Sequence, residues 1–181
     1  VEALVLGHTR WASVGIISEP NAHPLDERET LATAGPLVLG ALNGDVDNHH
    51  ELIARHGMQI AEAITTDAKV IPTLVSRGMA GGQDLATAFL RSVTTFEGSV
   101  ATGAVSSREP HRLAISLRGS GQALYVGCTE DTFVVASEPY GVIEECERYL
   151  RLDGETPGNP ANPSASRGQV VVLDQIGRAH V

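Results

Sequence analysis

The sequence predicts a layered α+β domain, and three features of its order carry this prediction. Two apolar stretches in the first 46 residues read as strands, and segments with helical spacing of apolar residues follow them up to Gly98. After Gly98, short apolar runs alternate with polar residues at every second position, which is typical of strands. Elements segregated in this way favour antiparallel sheets over an alternating parallel fold. We therefore expect two mainly antiparallel sheets packed face to face and flanked by helices.

The first early strand lies in the segment "VEALVLGHTRW", which reads as a strand running into a loop, and the second is "GPLVLGALNGDV". The second segment reaches Asn43 and Gly44 near its end. Since both residue types tolerate a positive φ, the pair predicts a sharp turn of the chain.

Three helices are predicted between these strands and the later sheet. The first covers about residues 48–55, and the second covers about residues 67–76. Pro72 lies beyond the first turn of the second segment, so it should bend this helix or delay its start. The third helix falls within residues 82–98.

The later part of the chain contains four short strands that we expect to form one antiparallel meander. These segments are 99–107, 111–119, 122–128 and 131–139. Two further strands are expected at 147–154 and 168–174. The segment 154–167 is rich in Pro, Asn and Ser, which predicts an exposed loop.

Composition restricts the classes of partner. The chain has 181 residues and fits one domain over 1–181. Its net charge of −9 argues against nucleic acid and against an anionic membrane surface, because both require a basic face. No apolar run approaches the roughly 20 residues of a transmembrane helix. Two cysteines, Cys128 and Cys146, do not make a disulfide framework, so we expect free structural thiols and a cytoplasmic location.

Neither a metal nor a cofactor is predicted. The chain has seven histidines, but it contains no HExxH motif. The one adjacent pair, His49 and His50, points two ways on a helix, so solvated histidines on helices and loops are the simpler interpretation.

Three polar stretches remain as candidates for chemistry: "GHTRWASVG" with "NAHP", "LNGDV", and "TTDAKVI". Each lies at the end of an apolar segment, where side chains from several elements can meet in one cleft. Taken singly, each has a plainer interpretation. Asn43 and Gly44 are more often a turn, Asp67 is more often a helix cap, and Arg10 is more often part of a surface ion pair.

Taken together and in this order, the three stretches resemble the class II glutamine amidotransferase family. The similarity runs from about Gly7 to about Pro139 and includes "FEGSVATGAVSS", "LRGSGQALYVG" and "FVVASEP". The branch that it resembles is the glutaminase half of glucosamine-6-phosphate synthase, the isomerising glutamine–fructose-6-phosphate aminotransferase. The resemblance implies the fold of the N-terminal-nucleophile hydrolases, an αββα sandwich of two antiparallel sheets between helical layers.

The resemblance also implies roles for five residues in binding glutamine. Arg10 would pair with the α-carboxylate through its two parallel donors, and Asp67 would hold the α-ammonium group. Ser13 stands where the family has threonine, so its hydroxyl would keep a contact with the ligand. Trp11 would line the site, and His23 would brace the loop around glutamine.

Two residues would act on the reaction itself. The side-chain amide of Asn43 and the backbone N–H of Gly44 would form the oxyanion hole. Such donors are each worth roughly 3 kcal/mol of transition-state stabilisation.

The chain departs from the family pattern in two ways. The family nucleophile is a cysteine at the mature N-terminus, and Val1 does not match it; since the chain opens in what reads as a strand, we expect an upstream segment. Without that cysteine, this chain alone should be inactive. Val14 replaces a histidine and Lys69 replaces a glutamate, which would loosen the glutamine site or alter its control.

The resulting hypothesis is a glutaminase domain that hydrolyses glutamine to glutamate and ammonia. The resemblance implies a sugar-isomerase-type synthase domain as partner, with fructose 6-phosphate as an acceptor of the ammonia, and it leaves a homo-oligomer open. Two alternatives are a non-catalytic amino-acid-binding or regulatory module, and another class II amidotransferase of the asparagine synthetase or glutamate synthase type.

Overall fold

The computed structural model describes residues 3–9, 13–31, 35–162 and 166–174, together with the backbone of 178–180. The strands are β1 Leu25–Asp26, β2 Val38–Gly44, β3 Val100–Ser106, β4 Glu109–Arg118, β5 Tyr125–Cys128, β6 Phe133–Ala136, β7 Arg148–Arg151, β8 Gln169–Asp174 and β9 Arg178–His180. The helices are α1 His49–His56, α2 Val70–Ala80, α3 Leu85–Val93 and α4 Tyr140–Ile143. Short 3₁₀ turns cover Glu19–Asn21 and Asp67–Lys69.

The strands form two sheets in which every neighbouring pair is antiparallel. The larger sheet has the order β1-β2-β3-β4-β8-β9, and the smaller has the order β6-β5-β7. The predicted class, α+β with two antiparallel sheets, is therefore confirmed.

Side chains on alternate positions of the larger sheet enter two different cores. In β8, Val172 packs with residues of α1, α2 and α3, whereas Val171 and Leu173 pack with Leu124 and Val126 beside and within β5. Successive residues of a strand point to opposite faces, so one strand serves both cores. The first core lies between helices and the larger sheet, and the second lies between the two sheets.

The fourth layer is α4, which covers the outer face of the smaller sheet. Gly127 of β5 makes this close approach possible. A Cβ at Gly127 would come within 2.5 Å of the Cys146 Sγ and of a Val142 methyl carbon. The layers thus follow the order helices, sheet, sheet, helix, as the αββα sandwich requires.

The prediction of one continuous meander after Gly98 was wrong. The strands β3 and β4 pair within the larger sheet, whereas β5 and β6 pair within the smaller one. The period of two determines which face a residue occupies, but it does not determine which strand lies beside it. The chain changes sheets between β4 and β5, where Gly119 and Gly121 both adopt a positive φ.

The strand predicted at the start of the chain was also wrong for residues 3–9, which the structure leaves irregular. Residues 1–2 and 10–11 of that prediction lie outside the described residues. An apolar run becomes a strand only where a second strand hydrogen-bonds with it, and none of the described strands pairs with 3–9.

The three predicted helices are present, with shifted ends. The helix predicted over 48–55 is α1, His49–His56. The helix predicted over 67–76 begins as the 3₁₀ turn Asp67–Lys69 and continues as α2 to Ala80. Pro72 occupies the third position of α2, in the first turn, where a backbone N–H has no acceptor within the helix. The lack of an N–H at Pro72 therefore removes no helical hydrogen bond, and of the two predicted effects the structure shows the later start of the helix.

The segment 154–167 contains no strand among its described residues, although Pro157 and Arg167 form an isolated bridge. Residues 163–165 of this predicted loop lie outside the described part. None of the helices among the described residues is long and apolar enough to cross a membrane.

Candidate active site

Five of the predicted site residues line one cavity of about 1340 Å³. The cavity opens beside the end of β2 and extends between the two sheets. Its lining includes Ser13, His23, Asn43, Gly44 and Asp67. The remaining two, Arg10 and Trp11, lie outside the described residues, although their sequence positions directly precede Ala12 and Ser13.

Asn43 and Gly44 are the last two residues of β2, and the predicted sharp turn at this pair was wrong. Both residues still pair with β3, opposite Ala101 and Val100. Gly44 has a φ of 115°, and a Cβ there would lie 2.0 Å from the Ser99 carbonyl oxygen. The glycine therefore serves a close approach of two backbones, which presents the end of β2 to the cavity.

Asp67 is the first residue of the 3₁₀ turn and is only 3% exposed. Its Oδ2 accepts a hydrogen bond from the Val46 N–H at 2.6 Å, and its Oδ1 accepts one from the Thr66 hydroxyl at 3.3 Å. Val46 lies two residues beyond Gly44, so this bond joins the carboxylate to the end of β2.

The environment of Asp67 opposes its ionisation on balance. Burial raises the pKa of the Asp67 carboxyl above its ordinary 3.8, and the negative charge of Asp45 raises it further. The hydrogen bond from Val46, the nearby His49 and the bond from Thr66 act in the opposite direction. A carboxylate held in this way gains strongly from a bound cation, because few other charges compensate it.

Asp45 is a second acidic residue on the cavity wall, and the sequence analysis missed it. Its Oδ1 accepts a hydrogen bond from the Ser13 hydroxyl at 2.5 Å, and its N–H donates to the Ser99 carbonyl at 2.9 Å. Its position directly after Asn43 and Gly44 was the signal that could have found it. The Ser13 hydroxyl donates to Asp45, so its oxygen lone pairs are the part available to a ligand.

His23 contacts two separate segments of the site. Its Nδ1 lies 3.1 Å from the Leu42 carbonyl oxygen, and its ring centroid lies 4.7 Å from that of His8. His23 thus connects the residue before Asn43 with the segment 3–9, which also lines the cavity. The sequence analysis assigned no role to His8.

Asn21, of the "NAHP" stretch, holds the loop that precedes Asp67. It is fully buried, and its Oδ1 accepts hydrogen bonds from the N–H groups of Thr65 at 2.8 Å and Thr66 at 3.0 Å. Its amide Nδ2 donates to the Ala63 carbonyl at 3.2 Å. A buried amide that satisfies three backbone groups fixes their positions, and the sequence analysis missed this function.

The two replaced family positions have different surroundings. Val14 is half-buried and lines the cavity. Lys69 is fully buried, and its Nζ donates to Asp26.

The two cysteines are both free. Cys128 is exposed at the end of β5, lines the cavity, and its thiol donates to the Thr129 carbonyl. Cys146 is buried behind the smaller sheet. Within the described ranges, no group of three or more His, Cys, Asp or Glu side chains could hold a metal ion.

Sequence comparison finds several relatives that carry the same name. The chain is 34% identical over 155 residues to glutamine–fructose-6-phosphate aminotransferase (isomerizing) of Clostridium perfringens, covering 83% of this chain and 23% of the relative. It is 29% identical over 172 residues to the enzyme of the same name from Methanothermobacter thermautotrophicus, covering 93% of this chain and 25% of the relative. The chain thus spans about a quarter of the length of the relatives it matches. No protein-family model matches it.

Solved structures share the fold. The glutamine phosphoribosylpyrophosphate amidotransferase from B. subtilis, complexed with ADP and GMP, superposes with a TM-score of 0.69 over 96% of this chain and 33% of its own, at 20% identity. A structure described as the allosteric regulatory enzyme of purine biosynthesis gives a TM-score of 0.63 at 18% identity, over 96% of this chain and 34% of its own.

Proposed function

We propose that this chain, which is related to the glutamine–fructose-6-phosphate aminotransferases and has the fold of the class II glutamine amidotransferases, is a glutaminase domain. It would bind glutamine and take part in its hydrolysis to glutamate and ammonia. The observation that carries the proposal is the buried carboxylate of Asp67 on the same cavity wall as Asn43 and Gly44.

The α-ammonium and α-carboxylate groups of glutamine would each be bound by a side chain of opposite charge. Asp67 would accept hydrogen bonds from the α-ammonium group. Because Asp67 is buried in a region of low dielectric, its attraction for this cation would be stronger than in water. Arg10 would donate two hydrogen bonds to the α-carboxylate. Trp11, between Arg10 and Ser13 in sequence, would form a wall of the site.

The amide end of glutamine would lie at the end of β2. A thiolate would attack the amide carbon, and the oxyanion that forms would accept hydrogen bonds from the Asn43 side chain and the Gly44 N–H. Loss of ammonia gives a thioester, which water hydrolyses to glutamate and the free thiol. The resemblance assigns the thiolate to a cysteine at a mature N-terminus, and we assign it to neither Cys128 nor Cys146.

The relatives, of which this chain spans about a quarter, support a wider setting for the domain. A sugar-isomerase-type synthase domain would receive the ammonia and transfer it to a sugar phosphate such as fructose 6-phosphate. The cytoplasmic location and a homo-oligomer stay predictions.

Ligand binding tests this function. Isothermal titration calorimetry should show that the 181-residue chain binds L-glutamine. Glutaramate is glutamine without its α-amino group, so Asp67→Asn should weaken glutamine and spare glutaramate. Arg10→Ala should weaken both ligands, since both carry the carboxylate. A buried charge left without its partner costs about 3–5 kcal/mol, so each loss should exceed about a hundredfold. Glutamine affinity unchanged by both substitutions would contradict the assignment.

A non-catalytic amino-acid-binding module would use the same contacts. It is favoured by one observation, that the thiol of Cys146 is buried and that of Cys128 donates to a backbone carbonyl. The two functions differ in glutamate release by the full-length gene product, which only the glutaminase would show.

A further inference from the structure

Lys69 is the only lysine in the sequence, and it is fully buried. Its Nζ donates to the backbone carbonyl of Asp26 at 2.6 Å and to the Asp26 Oδ1 at 3.1 Å. The Asp26 side chain keeps 32% of its surface exposed, so this ion pair joins a buried cation to a partly solvated anion.

A buried ammonium group is costly for the fold. Desolvation costs several kcal/mol per ion, and a well-packed apolar residue often stabilises a protein as well as a buried ion pair does. The neighbours of Lys69 on the chain, Ala68 and Val70, are themselves core residues. A contribution to stability therefore does not explain why a lysine occupies this position, whereas fixing a geometry does.

Lys69 and Asp67 belong to the same three-residue 3₁₀ turn. Asp26 belongs to β1, which is hydrogen-bonded to β2, and β2 leads to Val46, whose N–H binds Asp67. The contacts therefore form a closed circuit from Asp67 through Val46, β2, β1 and Asp26 to Lys69. In such a circuit the ion pair restrains the position of the turn relative to the end of β2.

We propose that Lys69 is a positioning residue that sets the Asp67 carboxylate against the end of β2, where it receives the α-ammonium group of the ligand. This inference rests on the proposed function for the identity of that ligand. Asn21 and Val46 hold the turn from other directions, so we expect the chain to fold without the ion pair. What changes is the placement of one carboxylate, and the selectivity for an amino group changes with it.

Charge alone makes the opposite prediction. Removing the cation of Lys69 from the turn that carries Asp67 makes this part of the protein more negative, which favours an ammonium group and disfavours a carboxylate. Weaker binding of glutamine with unchanged binding of glutaramate would therefore indicate an effect of positioning and not of charge.

The experiment compares three variants of the chain by calorimetry, with L-glutamine and glutaramate as the probes. Lys69→Met should weaken glutamine about tenfold or more and leave glutaramate within about twofold. The control is Arg77→Met, which removes the ion pair with Glu29 at the far end of α2 and should leave the ratio of the two affinities unchanged. The third variant, Asp26→Asn, removes the charge but keeps the backbone acceptor, so its effect should be smaller than that of Lys69→Met.

Circular dichroism identifies a variant that fails to fold. If Lys69→Met fails to fold, the ratio of glutamine affinity to glutaramate affinity in Asp26→Asn tests the proposal instead. Equal losses for both ligands, or no loss for either, would overturn the positioning role. If Asp67→Asn leaves glutamine binding intact, the proposed function itself fails, so the two failures are distinguishable.

Discussion

The carboxylate of Asp67 and the backbone N–H of Val46 are joined by a hydrogen bond of 2.6 Å. This bond connects the 3₁₀ turn before α2 with the residue that follows the end of β2 by two positions. The turn carries the proposed contact for the ammonium group, and the strand end carries the proposed oxyanion hole. Together with the contact of Lys69 with Asp26, this bond restrains the spacing between the proposed contacts for the two ends of the ligand.

Asp67→Asn should stabilise the unliganded protein at neutral pH while it weakens glutamine binding. Burial raises the pKa of Asp67 in the folded state. The contribution of this group to the free energy of unfolding is therefore most favourable below its unfolded pKa, and it is lost as pH rises through the folded pKa. An asparagine has no such loss and keeps an oxygen for Val46. Thermal unfolding followed by circular dichroism should give a higher Tm at pH 7.

The control for this prediction is Asp84→Asn, at the N-cap of α3. Hydrogen bonds from Thr87 lower the pKa of Asp84, so its contribution to stability is present above the unfolded pKa and is lost as pH falls. Its substitution should lower the Tm at neutral pH. A lower Tm for both variants would show that Asp67 is stabilising as an anion.

Asp45→Asn should shift the acid limit of glutamine binding to lower pH. Binding of an ammonium group requires an ionised Asp67, so affinity should fall as pH decreases through its raised pKa. Asp45 contributes to that rise through its negative charge, and its removal therefore lowers the pKa of Asp67. Calorimetric titrations from about pH 4, near the ordinary aspartate pKa, up to neutral pH measure the midpoint.

Asp47→Asn is the matched control, because it removes the same charge from the same loop at an exposed position outside the cavity lining. Its midpoint should equal that of the unmodified chain. An equal shift in both variants would indicate a general effect of net charge.

Gly44→Ala should destabilise the protein and disorder the end of β2. An added Cβ would meet the Ser99 carbonyl oxygen at 2.0 Å, at a φ that L-residues rarely adopt. Strain of this kind costs about 1–3 kcal/mol before the steric clash is added. Gly57→Ala has a positive φ of 57° but no atom within 4 Å, so it should cost only about 1 kcal/mol. Urea denaturation measures both, and equal losses would contradict the role of the close approach.

The chain over residues 1–181 should release glutamate from glutamine only at background rate. The proposed reaction passes through a thioester, and neither of the two cysteines is assigned as its nucleophile. A coupled glutamate assay measures the rate. Turnover that is abolished by Cys128→Ser would identify that exposed thiol as the nucleophile and reverse this assignment.

The sequence was sufficient for the strands β2 to β8, but not for β1, β9 or the arrangement of the strands. The alternation in β8 places Val172 and Val171 on opposite faces, and a period of two encodes this directly. The choice of partner strand for β5 depends on contacts with β7, from residues far along the chain, which no local pattern encodes.

For the candidate site, the sequence indicated several of the lining residues but not the contacts that hold them in place. The motifs around Ser13, Asn43 and Asp67 indicated the residues that line one cavity. The contacts that hold these residues join positions distant in sequence, such as Lys69 with Asp26. Lys69 stood out in the sequence only as a departure from a family pattern, and its partner could not be inferred without the pairing of β1 with β2.

The burial of Lys69 has a practical consequence for chemical labelling. Since the sequence contains no other lysine, the folded chain offers amine-directed reagents no lysine side chain at its surface. Acylation of Lys69 then requires the turn to open, and under fast reclosing its rate reports the equilibrium between the closed and open turn. The acylation rate of Lys69 therefore measures local opening of the turn beside the cavity. A ligand that bridges Asp67 to the end of β2 should slow this acylation.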